Sequence, residues 1–210
     1  MNDIVVKGAS ALIEAGYSVF PAWNGEAKSP ANAHGPIGAT DDPEDVKREA
    51  WRYHQVAIAT GQSSKMVALD ADGKAVVAKV EEILGPPTVR TRNGAHWYFK
   101  DPGEKTNHVL TNLLEEWGLE GDLRVRGVHQ YVLAPPSEGK TWTNGLPDRR
   151  SLPPLPEVLR KPQGRAERPS GGPEGKDATA PTQSQNASPS SRRGTGTTMY
   201  ATSPGIWRDI

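Results

Sequence analysis

The amino-acid sequence predicts an α+β domain followed by a disordered tail. Short apolar runs whose side chains alternate between two faces, of which Met66–Asp72 is the clearest, are typical of strands. Residues 4–15 and 74–84 instead repeat their apolar side chains at helical spacing. The Asn93-Gly94 pair between two strand-like runs indicates a hairpin, and therefore antiparallel strands. Helices combined with antiparallel strands belong to the α+β class.

Capping and breaking residues set the bounds of the predicted elements. Gly16 suits the end of the first helix, where a left-handed residue is often needed, and Asp42-Pro43 suits the start of the second. Gly85-Pro86-Pro87 ends the third helix. The predicted helices cover residues 4–15, 42–53 and 74–84, with a short helix or loop at 109–117. The predicted strands cover residues 17–21, 55–60, 66–72, 88–92, 95–100, 122–125 and 129–134, with a last small strand near Trp142.

Residues 162–210 differ in composition from the rest of the chain. They are mostly Ser, Thr, Gly, Pro and Gln, and such a segment cannot bury enough apolar surface to offset its ordering entropy. We therefore expect a folded domain over residues 1–161 and a disordered tail over residues 162–210. Because Ile206 and Trp207 are the strong apolar residues near the end, residues 205–210 are either a short docking segment or a frayed terminus.

Composition limits both the chemistry and the compartment. The 210 residues include no cysteine, so disulfides and thiolate metal sites are excluded, and any metal must be held by oxygen or nitrogen ligands. The 25 Lys and Arg balance the 25 Asp and Glu, so nucleic-acid binding would have to come from a local basic patch. The sequence has no apolar run long enough to span a membrane and no secretory start. We therefore expect a soluble cytoplasmic protein without a membrane partner.

The strand-like run Met66–Asp72 ends in two carboxylates that share a face. Side chains alternate along a strand, so Asp70 and Asp72 point to one side while the apolar residues between them point to the core. Two neighbouring carboxylates repel each other unless a cation lies between them, and Mg²⁺ or Mn²⁺ is the usual one because hard cations prefer oxygen ligands. The alternative is that Asp72-Gly73 forms only a turn and that Asp70 is solvated.

The strands around the hairpin carry further candidates. Trp97 and Phe99 share one face of the return strand, so His96 lies on the other and is predicted to face the same groove as the carboxylates. Taken alone, His96 could equally be a hydrogen-bonded structural histidine. Arg90 and Arg92 share a face of the preceding strand, where they either hold a nucleic-acid backbone or form a solvated edge.

Several short motifs occur in a fixed order along the chain. Those of the second half are Asp70-Ala71-Asp72 on a strand, Gly94-Ala95-His96 in a hairpin, an acidic residue beside arginine on a later strand, and Ala134-Pro135-Pro136-Ser137. Those of the first half are Ala11-Leu12, Phe20-Pro21, Lys28-Ser29-Pro30 and Ala57–Gly61. With these motifs, residues 8–145 resemble the bifunctional DNA primase/polymerase N-terminal family of the archaeo-eukaryotic primase superfamily. The resemblance implies a primase-like core related to the RNA-recognition-motif sheet, with a small α/β unit packed on it.

The resemblance also implies roles for individual residues. Asp70 and Asp72 match the first metal-binding motif of the family. His96 matches the histidine that contacts the phosphates of the incoming nucleotide. Positive side chains near the site would neutralise the triphosphate. The candidates for that role are Arg124, Arg126 and then Lys28, which taken alone is an ordinary loop lysine.

The third motif of the family, a carboxylate followed by arginine, can be placed in two registers. Asp122-Leu123-Arg124 fits the pattern and makes Asp122 the third metal ligand. Alignment backward from Pro135-Pro136-Ser137 instead places Arg126-Gly127 on the Arg-Gly of the family and Arg124 at the position of the acid. Strand alternation keeps Asp122, Arg124 and Arg126 on one face in either register, so Asp122 can still reach the site.

These inferences predict a template-dependent nucleotidyltransferase that makes or extends primers by two-metal phosphoryl transfer. The catalytic residues would be Asp70, Asp72, Asp122 and His96, with Mg²⁺ or Mn²⁺ as the metal. Its partners would be a single-stranded DNA template, (deoxy)nucleoside triphosphates and a separate replicative helicase, in phage or plasmid replication. Two alternatives stay open: a degenerate primase fold that binds nucleotide or single-stranded DNA without chemistry, and a metal-dependent phosphoesterase.

Overall fold

The chain forms two antiparallel sheets in the structure, a computed structural model that describes residues 3–24, 29–47, 51 and 54–160. The strands are β1 (Val19–Ala22), β2 (Gln55–Ala59), β3 (Met66–Asp72), β4 (Val89–Arg90), β5 (Gly94–Lys100), β6 (His108–Val109), β7 (Asp122–Arg126), β8 (Tyr131–Ala134) and β9 (Thr141–Trp142). The larger sheet has six strands in the order β6-β7-β3-β5-β4-β9, and the smaller has three in the order β1-β2-β8. The candidate Lys28 and the predicted tail lie outside the described residues.

Four helices in the described residues accompany these sheets. They are α1 (Asp3–Glu14), α2 (Pro43–Val46), α3 (Lys74–Leu84) and α4 (Thr111–Trp117). The combination of helices with antiparallel sheets confirms the predicted α+β class. None of these helices is both long and apolar enough to cross a bilayer.

The central strand β3 fixes which side chains share a face of the larger sheet. It pairs with β5 on one side and with β7 on the other, so that Asp70 lies opposite both His96 and Arg124. Directly opposite residues of an antiparallel pair project from the same face. The predicted common face of His96 and the carboxylates is therefore confirmed by the register of the strands.

The other face of the larger sheet is covered by α3 and α4. Val67 and Leu69 of β3 and Trp97 of β5 are buried there against apolar side chains of both helices. The members that α3 and α4 contribute are Val76, Val80, Leu113 and Leu114. This burial holds β3 rigidly by its apolar face, because the stabilisation scales with the apolar area removed from water. The polar face is consequently presented in a fixed geometry.

The smaller sheet and α1 pack against part of the polar face. Val56 and Ile58 of β2 join Ala68 and Tyr98 of the larger sheet in one buried cluster, together with Leu12 of α1. The predicted small unit therefore corresponds to α1 and the three-stranded sheet. Because it covers the half of the face that contains Ala68 and Tyr98, the half that contains the carboxylates is left at the boundary between the two sheets.

Several predicted elements differ in their bounds from the observed ones. The strand expected over residues 88–92 is paired only over Val89–Arg90. The helix expected over residues 42–53 is observed as α2, with the predicted cap at Asp42, whose carboxylate accepts the amide of Glu44 at 2.9 Å; residues 48–50 and 52–53 of that prediction lie outside the described residues. The strand expected from His129 starts only at Tyr131. The reason is that His129 has a φ of +58°, a left-handed conformation that no strand residue adopts.

Candidate active site

Asp70 is the buried centre of the polar face. Its side chain is 11% exposed, and its Oδ2 accepts a hydrogen bond of 2.6 Å from Nε of Arg126. Its Oδ1 lies 3.4 Å from Nε2 of His96, whose side chain is 7% exposed. The carboxylate is thus held from two sides by groups on two neighbouring strands. This arrangement excludes the alternative in which Asp70 is a solvated residue before a turn.

The environment of Asp70 shifts its acidity. Burial acts to raise the pKa of the carboxyl, but the interactions with His96 and with the guanidinium of Arg126 outweigh burial. The pKa of Asp70 is therefore held well below its usual range, and the group stays ionised at all physiological pH values.

This lowered pKa predicts a stability change in acid. A carboxyl whose pKa is lower in the folded state stabilises the fold above the unfolded pKa of about 4, and that contribution is lost as the pH falls toward the folded value. We expect the free energy of unfolding of the wild type to exceed that of Asp70→Asn near neutrality. The difference should shrink below about pH 4. Denaturant unfolding across this range measures it, and a difference that does not depend on pH would contradict it.

Asp122 and Arg124 pair with each other on β7. Arg124 donates from Nε to Oδ1 of Asp122 at 3.0 Å and from Nη2 to Oδ2. This hydrogen bonding outweighs partial burial and raises the pKa of Arg124, and the charges of Asp122, Asp70 and Asp72 act in the same direction. Arg124 therefore offsets the repulsion between Asp72 and Asp122, which lie directly opposite each other on β3 and β7.

Glycine is required opposite Asp72. Gly94 is the β5 residue paired with Asp72. A Cβ placed on Gly94 would overlap the carbonyl oxygen of Ala71 and lie 2.5 Å from Oδ1 of Asp72. The sequence indicated only a hairpin here, whereas the structure shows that the missing side chain leaves room for the carboxylate.

A cavity of about 360 Å³, here called the site cavity, opens beside these residues. The previously named residues that line it are Asp70, Asp72, His96 and Arg126. The sequence pattern did not identify the other lining residues, which are Thr91, Gln130, Tyr131, Val132, Leu133 and Lys140. Most of these lie on or beside β8 of the smaller sheet, so they meet the carboxylates only once the two sheets have packed. Asp122 and Arg124 lie outside this lining.

The loop between β7 and β8 is anchored on both sides. Thr60 is buried and donates a hydrogen bond of 2.6 Å from its hydroxyl to the carbonyl oxygen of Gly127. The amide of Gly127 donates to Oδ1 of Asn107 at 2.7 Å. Because Arg126 precedes this loop and Gln130 ends it, the two anchors fix the positions of two residues of the site cavity.

His96 also has an unsatisfied buried atom. Its Nδ1 is buried and has no hydrogen-bond partner within the described part of the chain, while its ring stacks on Tyr98 at a centroid distance of 6.4 Å. Burying such a nitrogen without a partner costs free energy. A polar atom left in this state beside a cavity favours a binding role for His96 over a purely structural one.

The carboxylate oxygens of the site are the type of ligand that a hard divalent cation prefers. Asp70 and Asp72 both line the site cavity, and Asp122 is the cross-strand neighbour of Asp72. Across the described ranges, however, no three His, Asp or Glu side chains are grouped so that they could hold a metal. The reason is visible in the contacts, because Asp70 is bound by Arg126 and Asp122 by Arg124. The carboxylate chemistry therefore fits Mg²⁺ or Mn²⁺, while a third ligand is not brought to the first two.

The two arginines proposed as alternatives for holding nucleic acid have acidic partners instead. Arg90 forms an ion pair with Glu81 at 2.6 Å, and Arg92 forms one with Glu138 at 3.2 Å. Arg92 and Glu138 are largely exposed, as expected for a solvated strand edge. These contacts favour the second of the two interpretations given to Arg90 and Arg92.

Comparison with known proteins assigns the family. Residues 9–158 match the model of the bifunctional DNA primase/polymerase, N-terminal (Prim-Pol) family. No curated protein matches the chain significantly. The match covers residues 9–14 of α1, both sheets and every residue of the site cavity. The family implies a DNA template and nucleotide substrates. The chain therefore belongs to the bifunctional DNA primase/polymerase N-terminal family.

Proposed function

We propose that this chain catalyses template-dependent nucleotidyl transfer and thereby makes or extends primers on single-stranded DNA. The observation that carries the proposal is the site cavity, which gathers two carboxylates, a buried histidine and two cations in a domain of the primase/polymerase family. Such a mixture of charges suits a ligand that combines a divalent cation with a triphosphate.

Asp70 and Asp72 would hold Mg²⁺ or Mn²⁺ in this reaction, whereas Asp122, the third carboxylate of the sequence prediction, is bound by Arg124 and is not brought to them. The bound metal would stabilise the charge that develops on the phosphate during transfer. The carboxylates of Asp70 and Asp72 differ in their contacts and in their exposure. Asp70 is fixed by Arg126 and His96, whereas Asp72 is exposed at the end of β3 and is the more accessible oxygen donor.

His96, Arg126 and Lys140 would bind the triphosphate. The Nε–H of Arg126 is hydrogen-bonded to Asp70, so the N–H groups at the end of its guanidinium are available to phosphate oxygens. Lys140 adds a second positive charge from the segment before β9. His96 was predicted as a phosphate ligand, whereas Lys140 was not identified from the sequence pattern. Arg124, outside the site cavity, is paired with Asp122 and is the weaker candidate.

A primer-extension assay with the full chain tests the proposal. We expect an α-³²P-labelled nucleotide to enter a primer annealed to a DNA template in the presence of Mg²⁺ or Mn²⁺, and chelation of the metal to stop incorporation. Removal of labelled nucleotides from the DNA without extension would support a phosphoesterase instead. An absence of both reactions, with DNA or nucleotide still bound, would support a binding module.

The binding module is the second candidate function, and one observation favours it. Both Asp70 and Asp122 are engaged by arginines, and the described residues offer no three-ligand metal group. A site in which arginines permanently replace the metal would still bind nucleotide phosphates through its remaining positive groups. Calorimetric titration with Mn²⁺ separates the two candidates, because the catalytic site must bind the metal and the degenerate one need not.

We also propose that residues 1–161 form the catalytic domain and that residues 162–210 tether a partner, such as a separate helicase of a phage or plasmid replication system. The family match ends at residue 158, which supports the boundary. A chain cut after residue 161 is therefore expected to extend primers within about twofold of the full chain, since the change lies outside the site. A loss of extension on truncation, with the folded domain intact by circular dichroism, would contradict this boundary.

A further inference from the structure

A second cavity, of about 220 Å³, lies at the outer edge of the larger sheet and is here called the edge cavity. The residues that line it are Asn107, His108, Val109, Arg124, Val125, Arg126 and Gln130. Two of these carry guanidinium groups, two carry side-chain amides, and none of the lining residues is acidic. A lining with two guanidinium groups and no carboxylate suits an anionic ligand.

The two arginines keep donors for such a ligand. Arg124 uses Nε and Nη2 on Asp122, and Arg126 uses Nε on Asp70. Each guanidinium carries five N–H donors, so both have further N–H groups. Their carboxylate partners orient them, which lowers the entropy lost when an anion binds. The edge cavity is therefore a prepared anion site, although the sequence suggested these arginines only for the incoming triphosphate.

The edge cavity adjoins the site cavity, because Arg126 and Gln130 line both. A ligand that reaches from β3 across β7 to the edge strand β6 must span two strand spacings, or roughly 10 Å. A single phosphate group is too short for this, whereas a nucleic-acid strand carries charges along its whole length. The exposed side chain of Val109 adds an apolar rim against which a sugar or base can pack.

We propose that the edge cavity binds a backbone phosphate of the single-stranded DNA on which the site acts. This inference rests on the proposed function for the identity of the strand. The DNA leaves the site cavity over Arg126 and Gln130, and its next phosphates lie between Arg124 and the exposed side chain of Val109. The backbone contact fixes the position of the strand without reading its sequence.

Val109 offers a test that leaves both arginines intact. It is 54% exposed on β6, directly opposite Arg124, so a charged side chain there is tolerated by the fold. We expect Val109→Lys to tighten and Val109→Glu to weaken the binding of a labelled oligothymidylate by about twofold to fivefold each at low salt. The plot of log K against log salt has a negative slope. This slope should become steeper for Val109→Lys and shallower for Val109→Glu, by up to about 0.7. Val109→Thr is the neutral, β-branched control.

Ile83 provides the matched control for charge alone. It is 53% exposed on α3, which covers the opposite face of the sheet. Ile83→Lys and Ile83→Glu make the same changes in net charge, and we expect DNA affinity to stay within about 1.5-fold of the wild type because exposed charges beyond the screening length interact weakly. Fluorescence anisotropy measures the affinity of all five variants, and unchanged chemical denaturation curves verify their folding.

The outcomes separate this inference from the proposed function. Opposite shifts at Val109 with none at Ile83 support the edge cavity. Equal affinities for all Val109 variants, shifts that the Ile83 pair reproduces, or no DNA binding by the wild type would overturn it. If the wild type extends primers while the Val109 variants bind DNA equally, the proposed function stands and the edge cavity is wrong. If the Val109 variants shift DNA affinity while no protein extends a primer, the edge cavity stands and catalysis is wrong.

Discussion

Replacing Asp72 by Asn is expected to lower the rate of primer extension by about a hundredfold to a thousandfold, the usual cost of removing one group that stabilises transition-state charge. Asp72 lies at the exposed end of β3 and lines the site cavity. The folding stability should change by no more than about 0.5 kcal/mol, as for most exposed substitutions. Loss of its like-charge repulsion with Asp122 acts in the stabilising direction.

Single-turnover primer extension and urea denaturation measure the two expectations on the same protein. Asp41→Asn is the matched control, because Asp41 is an exposed aspartate in the loop before α2 and makes the same chemical change. We expect Asp41→Asn to extend primers at the wild-type rate. Extension by Asp72→Asn at the rate of Asp41→Asn would show that Asp72 is not a metal ligand.

Asp70→Asn should lower the free energy of unfolding more than Asp72→Asn does. The neutral amide cannot replace the ion pair with Arg126, whose side chain is 27% exposed, or the contact with His96. Breaking a buried pair by removing one partner costs several kcal/mol, and partial solvation of Arg126 reduces that figure to about 2 kcal/mol. The exposed carboxylate is therefore the cleaner test of catalysis, because its loss does not confound activity with unfolding.

Strand alternation was sufficient to predict the polar face. Asp70 and Asp72 were placed together by alternation, and His96 was placed with them because Trp97 and Phe99 occupy the apolar face of its strand. The same reasoning placed Val67 and Leu69 in the core, where they are buried. Local patterns of this kind are reliable where one face of a strand must be apolar, since a shift of one residue would expose the core.

The smaller sheet and its share of the site could not be predicted in this way. The pairing of β2 with β8 joins residues more than seventy positions apart, and no local pattern selects such a partner. Because β8 pairs with β2 and not with the larger sheet, Tyr131 and Val132 form one wall of the site cavity. Lys140 reaches the cavity from the segment that follows β8, where a single lysine carries no sequence signal.

The ion pairs within the site could likewise not be predicted from the sequence. Alternation placed Asp122, Arg124 and Arg126 on one face but could not decide which carboxylate each arginine binds. In the structure Arg126 reaches across to Asp70 on β3, whereas Arg124 folds back on its own strand to Asp122. Which ion pairs form depends on side-chain conformation and on burial, and these follow from packing, not from spacing. The choice matters because it binds Asp70 and Asp122 to arginines at the proposed metal site.

Gly94→Ala is expected to lower the free energy of unfolding by about 2–3 kcal/mol, the upper part of the usual range for a side chain forced into a packed interior. The new methyl group would overlap the carbonyl oxygen of Ala71 and crowd Oδ1 of Asp72, so β3 and β5 must move apart at the site itself. We therefore expect the variant to lose primer extension even under conditions in which it is fully folded.

Gly103→Ala supplies the comparison that identifies the cause of this loss. Gly103 has a φ of +79° and nothing within 4 Å of its added Cβ, so alanine there costs only the backbone strain of a left-handed residue, about 1 kcal/mol. Urea denaturation should rank Gly94→Ala as clearly the less stable of the two, and primer extension by Gly103→Ala should match the wild type. Equal stability losses would mean that β3 and β5 accommodate a side chain at Gly94. In that case the glycine of the hairpin motif would serve the turn alone, and the position of Asp72 would not depend on it.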